Sequence, residues 1–246
     1  MKKPYRGLRS DKVERIPAFD VIAYEESIED LIDFCSIIDD QDDTHQTLMK
    51  NYVMVRLVSI IEFNLKAFIS ELIDDLDLKP GEILIDDSIS INLDILQNFK
   101  SEFFTKGRII TASLDKMNPG LIYSIMNRVN HLDYFDWYDA LIQPHQGKTW
   151  TQFKDLYKKR NDVIHNLVDV DDSIPVLRKK VIQFQDFVYL LFIFTEMNIA
   201  INVKKEPESK ILKRWSPIQA KIKLTLDDYK RITKKFRNIG TPQRRR

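Results

Sequence analysis

Between residues 44 and 78, apolar side chains recur at steps of three and four, through Val55, Val58, Leu65, Ile69, Leu72 and Leu76. That spacing lines one face of an α-helix, and the stretch is far longer than a strand uses. Lys79-Pro80-Gly81 stops it, because proline lacks the N–H and glycine breaks the turn. The stripe is a seam that needs a partner helix, and it contains one carboxylate, Glu62. Only 6 Gly and 9 Pro in 246 residues leave too few turn formers for an all-β chain. The expected fold is all-α.

Further helical segments are expected along the chain. Residues 20–43 form a short acidic helix with Ile28, Leu31, Ile32 and Cys35 on one face. Residues 82–90 are a short strand or a loop, and 92–104 a helix. Asn118-Pro119-Gly120 opens an element over 121–132, followed by an aromatic cluster at 134–138 and a loop at 143–148. A helix over 149–168 begins with Thr149 or Thr151 as its cap, and Asp169 to Asp172 break it. Ser173 caps a last long helix to about Val203. Its stretch FVYLLFIF, apolar all round, belongs in the core or a dimer interface. Beyond Pro207, KIKLTL alternates like a strand and DDYKRITKKFRN reads as a short helix. Three parts follow: an arm and acidic segment over 1–43, a helical domain over 44–205 with an insert at 80–148, and a basic extension over 206–246.

Charge and cysteine narrow the function. One cysteine, Cys35, excludes an intrachain disulfide and a zinc knuckle. It sits among Asp and Ile residues without a basic neighbour in sequence, as a core thiol does. The N-terminal charges surround no apolar stretch of the signal-peptide kind, and the longest apolar run, 187–194, is too short to span a bilayer. A soluble cytoplasmic protein is expected. The net charge of +1 hides an asymmetry: residues 201–246 carry +11 and residues 1–200 carry −10. Residues 20–43 hold ten carboxylates and no base. A basic tail on an acidic body suits a polyanion partner, an internal latch onto the acidic segment, or simple solvation.

The helix over 149–168 carries the chemistry. Phe153, Tyr157, Arg160, Ile164 and Leu167 follow the apolar step, so Arg160 is the odd charge in its stripe, as Glu62 is in the other. A half-buried guanidinium needs a carboxylate or an anion-binding cleft, and a Glu62–Arg160 contact is expected. At about 100° per residue, Asn161 and His165 lie within roughly 140° of Arg160 on one side, and Asn161 can touch His165 one turn on. A structural alternative gives His165 the last carbonyls to cap and Arg160 a buried ion pair.

The string Arg160-Asn161-Asp162-Val163-Ile164-His165 resembles the Arg-polar-x-x-x-His motif of HEPN domains, an all-α superfamily rich in ribonucleases. RLVSIIEFNLKAFISELI, with Glu62, resembles the first core helix of the RiboL-PSP and MAE-type groups. The resemblance covers about 44–203, is weakest over 80–148, and leaves out the arm and the tail. It implies a HEPN-like antiparallel helical bundle with a helical insert and a basic C-terminal extension. It also implies a homodimeric, metal-independent endoribonuclease, with no cofactor, that cuts by attack of the 2′-OH. Arg160 would stabilise the phosphate, His165 would move the proton, Asn161 would assist and Glu62 would support. A toxin, with an antitoxin or other regulatory protein, or a stress or defence effector fits that reading. The alternatives are a non-catalytic HEPN-fold module that binds RNA or regulates a partner, and a purely structural dimer.

Lys158, Lys159, Lys213, Arg214 and Trp215 are expected to hold RNA, Trp215 either by stacking on a base or, instead, as a buried anchor for the tail. His131 and His145, in separate elements, are expected to be surface or loop residues rather than ligands. Asp133, Asp136 and Asp139 step every three residues, as a cation site or, more simply, as the wet face of an amphipathic turn.

Overall fold

A computed structural model describes residues 20–38, 43–76, 105–113, 119–130, 132–202 and 206–237. The strand-or-loop and helix expected at 82–104, the arm over 1–19 and His131 lie outside the described residues. Every regular element among the described residues is a helix. In chain order they are α1 (Val21–Ile38), α2 (Asp43–Asp75), α3 (Lys106–Ser113), α4 (Pro119–Asn130) and α5 (Tyr134–Gln146), then α6 (Thr149–Asn166), α7 (Ile174–Gln183), α8 (Phe187–Asn202), α9 (Glu208–Ile222) and α10 (Leu226–Arg237).

The long helix α2 is the spine. Its buried face carries Val58, Leu65, Ile69 and Leu72 of the sequence seam, together with Val53, Leu57, Ile61 and Phe68. α1, α3, α6, α7 and α8 all rest on it. α3 approaches so closely that a Cβ at Gly107 would stand 1.8 Å from the Ser70 carbonyl oxygen. With no Cβ, the Gly107 N–H donates to the Asp74 carboxylate at 2.7 Å.

The acidic segment belongs to the core. Tyr24, Ile28, Leu31, Cys35 and Ile38 of α1 are buried against α2 and α7, while the carboxylates line the outer side. Burial pushes the Cys35 thiol up to about 11, against the field of Arg178. That guanidinium is the basic neighbour that Cys35 lacks in sequence. The described part of the basic extension, 206–237, is also built in: α9 docks on α8 and α10 on α5. Trp215 is 1% exposed, stacked with Phe194 and tilted against Tyr229, and its indole N–H donates to the Leu224 carbonyl at 3.1 Å. One continuous core therefore runs from Tyr24 to Tyr229.

Three local expectations change. The helix expected over 173–203 is two helices, because the chain turns at 184–186. The Phe184 carbonyl leaves the helical ladder and accepts the Tyr24 hydroxyl at 2.5 Å and the Phe187 N–H at 3.1 Å. The loop expected at 143–148 shrinks to 147–148: α5 continues through Pro144, and Gly147, at φ 76°, closes it through its N–H to the Gln143 carbonyl. KIKLTL is no strand. Lys223, at φ 51°, ends α9, and Leu224 and Leu226 are both buried. The residues of FVYLLFIF are buried or partly buried within this chain, the core placement of the two considered above. The segment 174–201 is long and apolar enough to cross a bilayer by composition, but most of it is buried inside the protein.

Candidate active site

α6 is fixed first at its beginning. Neither threonine caps it; Lys148 takes the N-cap position and makes no side-chain cap bond. The cap is supplied from α5, where the Asp139 carboxylate accepts the Trp150 N–H at 2.9 Å, the Thr151 N–H at 3.3 Å and the Thr151 hydroxyl at 3.0 Å. Asp139 is thus buried, not part of a wet face. Burial raises its pKa, partly offset by these donors. Asp133 accepts the Tyr123 hydroxyl, and Asp136 alone of the three is exposed. Trp150 stacks on Phe135 with centroids 3.5 Å apart, and Phe153 is buried beyond it.

The far end of α6 is built differently. Leu167 adopts the left-handed conformation at φ 53°, ψ 37°, and the Leu167 and Val168 N–H groups both donate to the Asp162 carbonyl. This closes the helix without His165 as a cap. The following loop is pinned on two sides. The Asn51 side chain on α2 donates to Asp169 at 2.7 Å and accepts the Val170 N–H at 2.8 Å. Asp172 sits between Lys180 at 2.6 Å and Lys159 at 3.3 Å. Burial alone would raise the Asp172 pKa, but the two ammonium groups outweigh it and hold the carboxyl below its usual range.

Between these ends lies the charged cluster. The structure brings Arg160 to Glu62 with a nitrogen–oxygen distance of 3.9 Å, an ion pair longer than a hydrogen bond, with the side chains 23% and 19% exposed. A second guanidinium nitrogen donates to the Asn161 side-chain oxygen at 3.0 Å. Asn161 thus engages Arg160, and no hydrogen bond joins it to His165 among the described residues. The Arg160 guanidinium carbon lies 5.9 Å from the Tyr157 ring centroid. Burial raises the Glu62 pKa, opposed by Arg160 and Lys66. Burial and the Glu62 charge raise that of Tyr157, opposed by Arg160 and Asn161. His165 is exposed in the last turn of α6 and makes no hydrogen bond or ion pair among the described residues.

The residues expected to hold RNA fall in two places. Lys158 is exposed beside the cluster, whereas Lys159 is committed to Asp172. Lys213 is exposed on α9. Trp215 is the buried anchor, not a stacking platform. The side chains of Arg214 and His145 lie outside the described residues. The Trp137 N–H donates to the Thr233 hydroxyl at 2.9 Å, tying α10 to the part of α5 that caps the start of α6. His165 lies 16 residues on, or about 24 Å along the axis at 1.5 Å per residue. Tyr157 and Asn51 are the members of the site that sequence reasoning missed. Tyr157 was hidden by its apolar spacing, and Asn51 gave no signal.

Among the described residues no three His, Cys, Asp or Glu side chains are gathered as a metal site requires. Chemically, Arg160 can bind an anion, and the exposed imidazole of His165 stands on the last turn of the same helix. Compared with models of known families, with curated proteins and with solved structures, the chain has no match.

Proposed function

We propose that this chain is a metal-independent endoribonuclease of HEPN type, acting in the cytoplasm as a toxin or a defence or stress effector. One observation carries the reading: a half-buried Arg160, oriented by Glu62 and Asn161, shares the end of one helix with an exposed, unengaged His165. His165 takes the proton of a ribose 2′-OH, its exposed imidazole nitrogen acting as general base. The 2′-oxygen attacks the adjacent phosphorus, the P–O5′ bond breaks, and the products are a 2′,3′-cyclic phosphate and a 5′-OH. Arg160 holds the charge that gathers on the phosphoryl oxygens.

The leaving oxygen needs a proton, which His165 of a second copy supplies. Ile164, Leu167 and Val168 are exposed apolar side chains flanking His165, with Leu167 at 87%. A two-fold contact through them buries apolar surface and faces two Arg–His pairs across one groove. The test is cleavage of labelled RNA in EDTA, by the parent and by His165→Ala, with an oligonucleotide lacking 2′-OH groups as control. The reading requires cutting of RNA alone, and only by the parent. A His165→Ala variant that cuts as fast as the parent removes it.

A second reading, a HEPN-fold module that binds RNA or a regulatory partner without cutting, is favoured by the Glu62 charge that neutralises Arg160. It predicts RNA binding with no cyclic-phosphate product.

A further inference from the structure

α10 keeps its two sides apart. Leu226, Tyr229 and Thr233 are buried, and Ile232 and Phe236 pack against the core beside them. At about 100° per residue, Lys230, Arg231, Lys234 and Lys235 fall within about 140° on the side away from Tyr229 and Thr233, and all of them are exposed. The carboxylates of the helix, Asp227 and Asp228, lie in its first turn, so the turns that follow carry cations alone. Arg231 pairs back to Asp228. Lys234 and Lys235 make no hydrogen bond or ion pair among the described residues.

Charge is all that this face offers. No large apolar side chain of α10 is exposed. The face therefore lacks the apolar or aromatic anchor on which a protein interface centres, and the apolar edge that a surface helix sinks into a membrane. What remains is cations one turn apart, Lys230 to Lys234 and Arg231 to Lys235, about 6 Å along the axis at 1.5 Å per residue. A nucleic-acid strand presents a matching row of single negative charges. We infer that the exposed face of α10 is a grip for the RNA backbone, separate from the cluster around Arg160. Thr233, next to Lys234, accepts the Trp137 N–H of α5, and Asp139 of α5 caps the start of α6. The grip thus stands by the start of α6, about 24 Å along that helix from His165. Contacts to phosphate hold and orient RNA without reading its sequence. The inference rests on the nuclease reading for its effect on cleavage, but not for the binding itself.

The test uses the full chain and a single-stranded 2′-O-methyl RNA oligonucleotide, which can bind and cannot be cut. Lys234→Gln/Lys235→Gln is compared with Arg178→Gln/Lys179→Gln, which removes the same charge from exposed positions on α7. The α10 variant should bind about 10-fold more weakly at physiological salt, with a log–log salt slope shallower by about 1.4, as two lost phosphate contacts require. The α7 variant should bind as the parent does, and so should Lys234→Arg/Lys235→Arg, which keeps the charge. Equal weakening by both glutamine variants, an α10 variant that binds like the parent, or a parent that does not bind overturns the grip. If the α10 variant loses only its binding to phosphatidylserine vesicles, the partner is a membrane and the inference is wrong. With unmodified RNA, the α10 variant should raise KM and leave kcat unchanged. A parent that binds with these signatures yet never cuts removes the nuclease reading and leaves the grip. A parent that cuts RNA and binds it without help from α10 gives the reverse.

Discussion

The two ends of α6 are one helix built to opposite standards. At its start, the Trp150 and Thr151 backbone N–H groups are held by Asp139, and Trp150 and Phe153 are sealed in an aromatic stack. At its finish, the guanidinium has an unpaired N–H, the imidazole stands in solvent, and a leucine takes a left-handed conformation that glycine would adopt more cheaply. A protein optimised only for stability has no use for the second arrangement. One unsatisfied donor, an unengaged imidazole and a left-handed residue gather within two turns, the arrangement on which the proposed site rests.

The largest effect separates the ends by activity. His165→Ala is expected to lower RNA cleavage about 10²- to 10⁴-fold. The melting temperature should not change, because the imidazole makes no contact that unfolding would lose. A loss of stability as large as the loss of rate would erase the contrast. Next comes Asp139→Ala at the opposite end. Removing the cap should cost about 1–3 kcal/mol in urea unfolding, with the cleavage rate per folded molecule preserved.

Leu167→Gly reverses the usual sign of a mutation. Relief of the left-handed strain should stabilise the monomer by about 0.5–1 kcal/mol, while the loss of an exposed apolar side chain weakens self-association in sedimentation. If the variant is both less stable and equally dimeric, the finish of α6 is ordinary surface. The smallest effect is on acidification. Asp172 has a lowered pKa in the folded chain, so its contribution is complete above the ordinary Asp range, near about 4, and is lost as pH falls through the lowered folded value. Its partners are partly solvated, so less than about 1 kcal/mol is at stake. Amide exchange in 167–172 should speed up on that acid limb, and Asp172→Asn should abolish the step.

The sequence announces features that repeat or clash locally. The three-four spacing of α2 and α6 is legible because each apolar step confirms the next, and Glu62 and Arg160 are legible because each breaks such a series. Pairings between distant residues leave no such trace. The break at Phe184 depends on Tyr24, 160 residues away. The cap of α6 comes from Asp139 across a turn, so the adjacent threonines are a false signal. Trp215 beside Lys213 and Arg214 has the composition of a nucleic-acid platform, and only packing against Phe194 and Tyr229 reveals its role. Tyr157 is the converse, an aromatic at core spacing whose hydroxyl stands among charges.

The continuous core has a consequence for biosynthesis. Helices far apart in sequence contribute to it, Tyr24 from α1 and Trp215 and Tyr229 from α9 and α10. During translation, at about 5–20 residues per second, the polypeptide cannot complete its interior until those late aromatics leave the ribosome. The packing of α9 and α10 on α8 and α5 therefore forms only after the α6 segment that carries Arg160 and His165 has been made.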